Sequence, residues 1–157
     1  MEAAIVKSTQ AKRMTTRLAV FAAAVIPLAG CQSDGASHLI NGNSQALSVV
    51  RHKPYPWSVW ELSLVVRNDP ACQRRHRMKD AGNSTKVELY SPAPGAFILR
   101  QGKRWYVAEL ASCGFEQFKE DPAQPGDLIG AFLDRDGSYV FEAEKKAANK
   151  GNAKPGG

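Results

Sequence analysis

The feature that most constrains the fold is an alternation of apolar and polar side chains over residues 60–66. Every second residue of this stretch is apolar, namely Trp60, Leu62, Leu64 and Val66. Between them stand Glu61 and Ser63. A period of two residues is typical of a β-strand that buries one face and leaves the other polar. The pattern predicts a central strand of a sheet.

Six further segments are short and β-prone, namely residues 47–50, 86–90, 96–100, 103–110, 128–133 and 139–143. Gln101-Gly102 and Asp136-Gly137 each separate two of them, and glycine in a short turn between apolar runs indicates a hairpin. No long helical period occurs. About seven short strands predict an all-β, antiparallel domain, built as a small barrel or a two-layer sandwich.

Two longer connections separate these strands. Residues 70–84 are expected to form a loop, and residues 112–127 a second one. Phe115 and Phe118 stand three residues apart in the second connection, so one helical turn would direct both rings to the core.

The N-terminal stretch combines a basic region with an apolar run over residues 18–28. A helix needs roughly 20 apolar residues to cross a bilayer, so this run is too short and is typical of a signal peptide. It ends in Leu28-Ala29-Gly30-Cys31. Leucine three places before the cut is unfavourable for an ordinary secretory cleavage site. The four residues resemble a lipobox, the lipidation signal of bacterial lipoproteins.

The resemblance implies that the Cys31 thiol receives a diacylglyceryl group, and that the chain is cut before Cys31 and acylated on the new amine. Several acyl chains hold a protein stably on a membrane. Gln32 follows where an inner-membrane retention signal has aspartate, which favours the outer membrane, facing the periplasm. The alternatives are an unmodified Cys31 and a signal that starts at Met14.

The resulting organisation has four parts. Residues 1–30 are the signal peptide, 31–44 the lipidated cysteine and a flexible tether, 45–144 the β-domain, and 145–157 a disordered basic tail. The first 30 residues carry four of the 21 Lys and Arg and one of the 15 Asp and Glu, so the remaining chain has a formal charge of +3. This small excess gives no reason to expect a nucleic-acid partner.

Two cysteines, Cys72 and Cys113, remain once Cys31 is lipidated. An even number in an oxidising compartment predicts a disulfide bond between them. The alternative is two free thiols, although neither belongs to a C-x-x-C pair.

A basic cluster follows the first of these cysteines and comprises Arg74, Arg75, His76, Arg77 and Lys79. Such a cluster could bind the anionic groups of lipopolysaccharide, peptidoglycan or an acidic envelope protein. The alternative is a solvated loop. The predicted disulfide would bring this loop near Glu116, Glu120 and Asp121, and pairing of the arginines with those carboxylates is the interpretation that we favour.

An aromatic cluster precedes the central strand and comprises Tyr55, Trp57 and Trp60. These rings could stack on a glycan or, as we favour, cover the core where the strand begins. Trp105 and Tyr106 are adjacent, so one of them should face the core.

Known catalytic and metal-binding patterns do not occur in the sequence. The spacing of His38, His52 and His76 fits no metal site, and Asp134, Asp136 and Gly137 match a hairpin turn better than a calcium loop. We expect no cofactor and no metal. A hydrolase with an unrecognised site is the less favoured alternative.

The part after Cys31 resembles short β-rich lipoproteins of Gram-negative bacteria, on the stretches Cys72–Arg75 and Gln101–Glu109. This resemblance implies no activity and no site residues. The sequence as a whole predicts a non-catalytic interaction or structural module, held at the cell envelope by lipid. A binder of anionic glycan or lipid through residues 74–79 is the alternative.

Overall fold

The computed structural model describes residues 31–82 and 84–145. Ten strands form in this part of the chain: β1 Gln32–Asn41, β2 Gln45–Lys53, β3 Glu61–Asn68, β4 Cys72–Arg77, β5 Val87–Ala93, β6 Ala96–Gln101, β7 Arg104–Glu109, β8 Gly114–Gln117, β9 Asp127–Arg135 and β10 Ser138–Ala143. All strand pairs are antiparallel. The predicted all-β, antiparallel class is confirmed.

The strands form two sheets. One has four strands in the order β1-β2-β3-β4, and the other has six in the order β10-β9-β5-β6-β7-β8. Buried residues of both sheets belong to a single apolar cluster, as in a two-layer sandwich. The ladders do not close into a barrel, so of the two predicted architectures the sandwich is confirmed.

The core consists of the side chains that alternate inward along the central strands. Leu62, Leu64 and Val66 of β3 are fully buried, as their alternation predicts, and β3 lies between β2 and β4. Each such side chain contributes about 1.5–3 kcal/mol when it is removed from water. In β7, Tyr106 belongs to the core and Trp105 lies on the opposite face, as predicted.

Both predicted hairpins form. Arg135 pairs with Ser138 around Asp136 and Gly137, whose φ angles of 52° and 85° are those of a type I′ turn. In the other hairpin Gln101 still pairs with Arg104, so the turn falls one residue later than predicted.

The flexible tether expected over residues 31–44 is wrong. From Gln32 to Asn41 the chain is strand β1, which pairs with β2 almost residue for residue, from Gln32 opposite Lys53 onward. Ala36 is buried in the core. Composition misleads here because an edge strand can keep polar side chains on its outer face while its backbone bonds to a neighbour. The domain therefore begins at residue 32 rather than at residue 45.

The two long connections also hold strands that the sequence did not predict. Residues 72–77 form β4 and residues 114–117 form β8, each at the edge of its sheet. The helical turn expected around Phe115 and Phe118 is wrong, because Phe115 lies in β8 opposite Ala108. With β1, these strands raise the count from the predicted seven to ten.

Contacts between the sheets define two ends of the sandwich, because Arg51 meets Asp134 and Gln101 meets Lys79 at one end, whereas Cys72 bonds to Cys113 at the other. The Cys31 end holds residues 31–34, 53–61, 77–82, 84–87, 100–104 and 134–139. The disulfide end holds residues 41–45, 68–72, 93–96, 109–114 and 126–128. The signal peptide expected over 1–30 and, apart from Lys145, the tail expected over 145–157 lie outside the described residues.

Candidate functional site

Cys31 lies immediately before β1. Its side chain is exposed, and its thiol is free. Since Gln32 pairs with Lys53, Cys31 also lies beside the chain that leaves β2. A groove of about 520 Å³ lies against it, lined by Cys31, Asp34, Arg51, Trp60 and Asp134 among others.

The predicted disulfide between Cys72 and Cys113 is confirmed. It joins the start of β4 in the four-stranded sheet to the residue before β8 in the six-stranded sheet. Cys113 is fully buried within the core cluster. The bond therefore links the edges of the two sheets.

The basic cluster is divided by the geometry of β4. Arg74 and His76 stand opposite the core residues Val66 and Leu64, whereas Arg75 and Arg77 face outward. The His76 ring packs 5.3 Å from that of Phe115, and its Nε2 lies 2.8 Å from the carbonyl oxygen of Cys113. These four residues of the cluster thus point to two sides of the sheet, and the His76 side chain already has partners at the seam between the sheets.

The expected pairing of the arginines with the acidic loop is wrong. Arg77 instead contacts Asp80 at 3.1 Å and Glu61 at 3.4 Å, which lie on the same side of the four-stranded sheet. Within residues 31–82 and 84–145, Arg74 and Arg75 form no ion pair. Lys79 contributes its backbone, because its carbonyl accepts a hydrogen bond from Gln101 Nε2 at 2.7 Å while its side chain is exposed.

The aromatic cluster is divided as well. Trp60 is half-buried and packs against the core, as expected. The same interpretation is wrong for Tyr55 and Trp57, whose side chains are 58% and 83% exposed. Their rings stack on each other with centroids 5.6 Å apart.

A buried arginine that sequence reasoning missed stands at the Cys31 end. Arg51 is 3% exposed and belongs to β2. Its Nε and Nη2 donate to the two carboxylate oxygens of Asp34, at 2.5 and 2.8 Å. Its Nη1 donates to Asp134 of β9 at 2.5 Å, and Nη2 also donates to the Gly137 carbonyl at 3.1 Å. This arginine therefore joins β1 and β2 of one sheet to the β9–β10 hairpin of the other.

Two aromatic rings enclose the same guanidinium. Its central carbon lies 4.5 Å from the Trp60 ring centroid and 4.9 Å from that of Tyr139, distances at which cation–π attraction is effective. The backbone N–H of Tyr139 donates to Asp34 at 3.1 Å. We call these five residues, Arg51, Asp34, Asp134, Trp60 and Tyr139, the Arg51 clamp.

Contacts within the Arg51 clamp favour the ionised forms of Arg51 and Asp134. The hydrogen bond from Arg51 lowers the pKa of the Asp134 carboxyl below its ordinary value, and the N–H of Gly137 adds to that effect. Burial raises the pKa of the Tyr139 hydroxyl, which donates to the Thr85 carbonyl at 2.7 Å. Because the guanidinium is bound by the protein's own carboxylates, the clamp acts as a structural link and leaves little of Arg51 for an external anion.

A weak signal for this arginine exists in the sequence. Leu47 and Val49 lie two residues apart, as on one face of a strand, and Arg51 continues this buried face. A cation on an inward face needs a buried partner. Its partners lie 17 and 83 residues away, so the sequence alone could not name them.

Searches against family models, curated proteins and solved structures find no match to this chain. Within the described ranges, no group of three or more His, Cys, Asp and Glu side chains is placed to hold a metal ion. No helix in the same ranges is long and apolar enough to cross a membrane.

Proposed function

We propose that this protein is a lipid-anchored lipoprotein of the bacterial cell envelope, whose β-sandwich acts as a non-catalytic interaction or structural module. One observation carries the proposal beyond the lipobox resemblance. Cys31 is exposed one residue before the first strand, where acyl chains would not disturb the packed domain.

The chemistry of the cysteines supports this assignment. Cys72 and Cys113 are bonded to each other, whereas the Cys31 thiol is free for modification. The Arg51 clamp fixes β1 from Asp34 onward, three residues beyond the modified position. A lipid on Cys31 would therefore hold the Cys31 end close to the membrane, without a flexible spacer.

Anchoring is tested by metabolic labelling with palmitate. The wild-type protein should be labelled and processed, and Cys31→Ser should be unlabelled and accumulate as precursor. The matched control is the Cys72→Ala, Cys113→Ala variant, which retains Cys31 and should still be labelled. Release of a Cys31→Ser protein cut after Gly30 would contradict the proposal.

If the protein acts by contact with a partner, we expect the contact surface on the disulfide end, because this end would point away from the membrane. A groove of about 710 Å³ opens there between the sheets, and its apolar lining includes Leu39, Ile40, Phe97 and Leu110. Leu39 is 52% exposed. Affinity capture from detergent-solubilised membranes should yield a protein partner at ordinary salt, and Leu39→Asp should reduce its recovery. Equal recovery of the partner with the wild type and with Leu39→Asp would show that this groove is not the contact surface.

The alternative function is binding of anionic glycan or lipid through residues 74–79. The exposure of Arg74 and Arg75 favours it, and their positions on opposite faces of β4 weigh against it. Co-sedimentation with peptidoglycan and with lipopolysaccharide at low and high salt tests it. The protein should start at residue 32, because β1 is part of the fold, and deletion of residues 146–157 controls for the lysines of the tail.

We expect the wild type and a variant with Arg74, Arg75 and Arg77 replaced by Gln to co-sediment equally and weakly. Retention of the wild type that falls steeply with salt and is lost in the variant would favour the alternative, because exposed charges are screened at high ionic strength.

A further inference from the structure

The loop between β2 and β3 displays three apolar side chains to solvent. Tyr55, Trp57 and Val59 are 58%, 83% and 54% exposed. Single exposed apolar residues are ordinary in soluble proteins, but three within five residues form a patch that calls for an explanation.

This loop has a fixed shape. The Ser58 N–H and the Ser58 hydroxyl both donate to the Tyr55 carbonyl, at 3.0 and 2.8 Å, and the Tyr55 N–H donates to the same hydroxyl at 3.2 Å. Pro54 and Pro56 flank Tyr55 and restrict its backbone. The stacked rings of Tyr55 and Trp57 are therefore held outward by a structured turn.

The loop lies next to Cys31. Gln32 pairs with Lys53, so Cys31 and Pro54 are neighbours at the same edge of the four-stranded sheet. The path from the Cα of Cys31 across this pair to that of Tyr55 is at most about 17 Å long. Acyl chains on Cys31 would bring a lipid surface to this loop. Tryptophan and tyrosine are the residues that favour the membrane interface, because their rings are apolar and carry a polar atom.

Charge at the same end agrees with an anionic lipid surface. Four cations there, Lys53, Lys79, Lys103 and Arg104, form no ion pair among the described residues. The acidic side chains of this end are mostly bound to basic ones: Asp34 and Asp134 to Arg51, Glu61 and Asp80 to Arg77, and Glu88 to Lys86 and Arg100. Asp136 is exposed at the tip of the β9–β10 hairpin, and Glu120 and Asp121 are exposed just after Phe118, whose N–H donates to the Trp105 carbonyl at 2.9 Å; these three acids form no ion pair among the described residues. Basic residues near a membrane surface are attracted to anionic headgroups.

We infer that the loop of residues 54–59 inserts Tyr55, Trp57 and Val59 into the interfacial region of the membrane beside the acylated Cys31. The loop thereby fixes the orientation of the sandwich on the lipid surface. This inference rests on the proposed lipidation of Cys31, which supplies the membrane. The Arg51 clamp positions the loop, because Trp60, at the end of the loop, packs on the guanidinium that also holds β1.

The test imposes the anchor chemically, so that it does not depend on biosynthetic lipidation. Protein spanning residues 31–157 is coupled through the free Cys31 thiol to a maleimide-headgroup lipid, in vesicles of phosphatidylethanolamine and phosphatidylglycerol. Tryptophan fluorescence is then compared with and without bromine on the acyl chains near the headgroups. Bromine quenches only tryptophans that lie close to it.

We expect brominated lipid to reduce the wild-type emission. Trp57→Ser should lose most of this quenching, whereas Trp105→Phe should retain it, because Trp105 lies on the outer face of the six-stranded sheet. Thermal unfolding of Trp57→Ser should match the wild type, since Trp57 is largely exposed.

Equal quenching in the wild type and Trp57→Ser, or no quenching in either, would overturn the inference. The result is independent of the palmitate experiment. Trp57-dependent quenching without palmitate labelling would mean that the loop binds a lipid surface held at residue 31, but that the proposed biosynthetic anchor is wrong. Positive labelling without Trp57-dependent quenching means that this inference alone is wrong.

Discussion

The two ends of the sandwich hold the sheets together by different chemistry. At the disulfide end, Cys72 and Cys113 join the edge strands β4 and β8 covalently. At the Cys31 end, a buried guanidinium joins β2 to Asp34 and Asp134 through hydrogen bonds. Each link sits on one seam between the sheets, so the single core is closed on both sides.

The two links make different demands on the chain. A disulfide needs only two cysteines and oxidising conditions, and the same end of the sandwich also carries loops and a groove. The Arg51 clamp requires three charged groups in register, and it fixes the chain that follows Cys31. The end that would bear the lipid is therefore ordered by the clamp right up to the modified residue.

The two ends also differ in charge. Exposed acids at the disulfide end, Glu109, Asp127 and Glu144, form no ion pair among the described residues. At the Cys31 end, the side chains that form no ion pair among the described residues include the cations Lys53, Lys79, Lys103 and Arg104, together with the acid Asp136. This asymmetry agrees with one end facing anionic lipid and the other facing away.

Removal of the covalent link should have the largest effect on stability. For a sequence separation of 41 residues, the chain-entropy estimate is a loss of about 4 kcal/mol in Cys72→Ala, Cys113→Ala. Urea unfolding measures it, with Cys31→Ser as the matched control, because Cys31 is exposed and should leave the midpoint unchanged. A loss no larger than that of the control would show that this seam is held by packing alone.

Removal of the ionic link should have the next largest effect. Arg51→Met keeps the apolar stem but deprives Asp34 and Asp134 of their partner, and we expect a loss of about 2–3 kcal/mol. The carboxylates are 36% and 46% exposed, so water can partly replace the guanidinium and the loss stays below that of a fully buried pair. Arg75→Met, at an exposed position on β4, is the control and should change stability by less than about 0.5 kcal/mol. Equal effects of both substitutions would rule out the Arg51 clamp as a link.

A smaller, pH-dependent effect belongs to the seam between β1 and β10. His38 packs 4.7 Å from Phe141, and burial lowers its pKa below the ordinary value of 6.5. The folded state therefore favours the neutral ring, so its contribution is complete above pH 6.5 and is lost as the pH falls below that value. Unfolding midpoints at pH 7.5 and 5.5 should differ less in His38→Gln than in the wild type. An unchanged difference would assign the pH dependence to other groups.

The smallest effect should come from the basic cluster. Replacement of Arg74, Arg75 and Arg77 by Gln removes only the exposed contacts of Arg77, which water and salt screen, so we expect almost no change in urea unfolding. A large loss of unfolding free energy in urea would show that the stability of β4 depends on its charges.

The sequence predicted those elements whose structure is determined by neighbouring residues in the chain, through apolar alternation or turn residues. The strand at residues 60–66, the Asp136-Gly137 turn and the cysteine pair were predicted on that basis. Strand β1 and the basic strand β4 were missed, because their backbones are stabilised by neighbouring strands rather than by their own apolar content. The Arg51 clamp was missed for a related reason, since Asp34 reaches Arg51 only when β1 pairs with β2, and Asp134 only when the two sheets pack.

The most direct test of this architecture is hydrogen exchange of residues 32–41 in the intact protein, read from peptides by mass spectrometry. We expect slow exchange in this segment, comparable with that of β2, because β1 pairs with β2 along nearly its whole length. Arg51→Met should accelerate exchange in residues 32–41 more than in residues 72–77. Exchange of residues 32–41 at the rate of an unstructured chain in the wild type would mean that a flexible segment follows Cys31, and would contradict a domain whose first strand begins at Gln32.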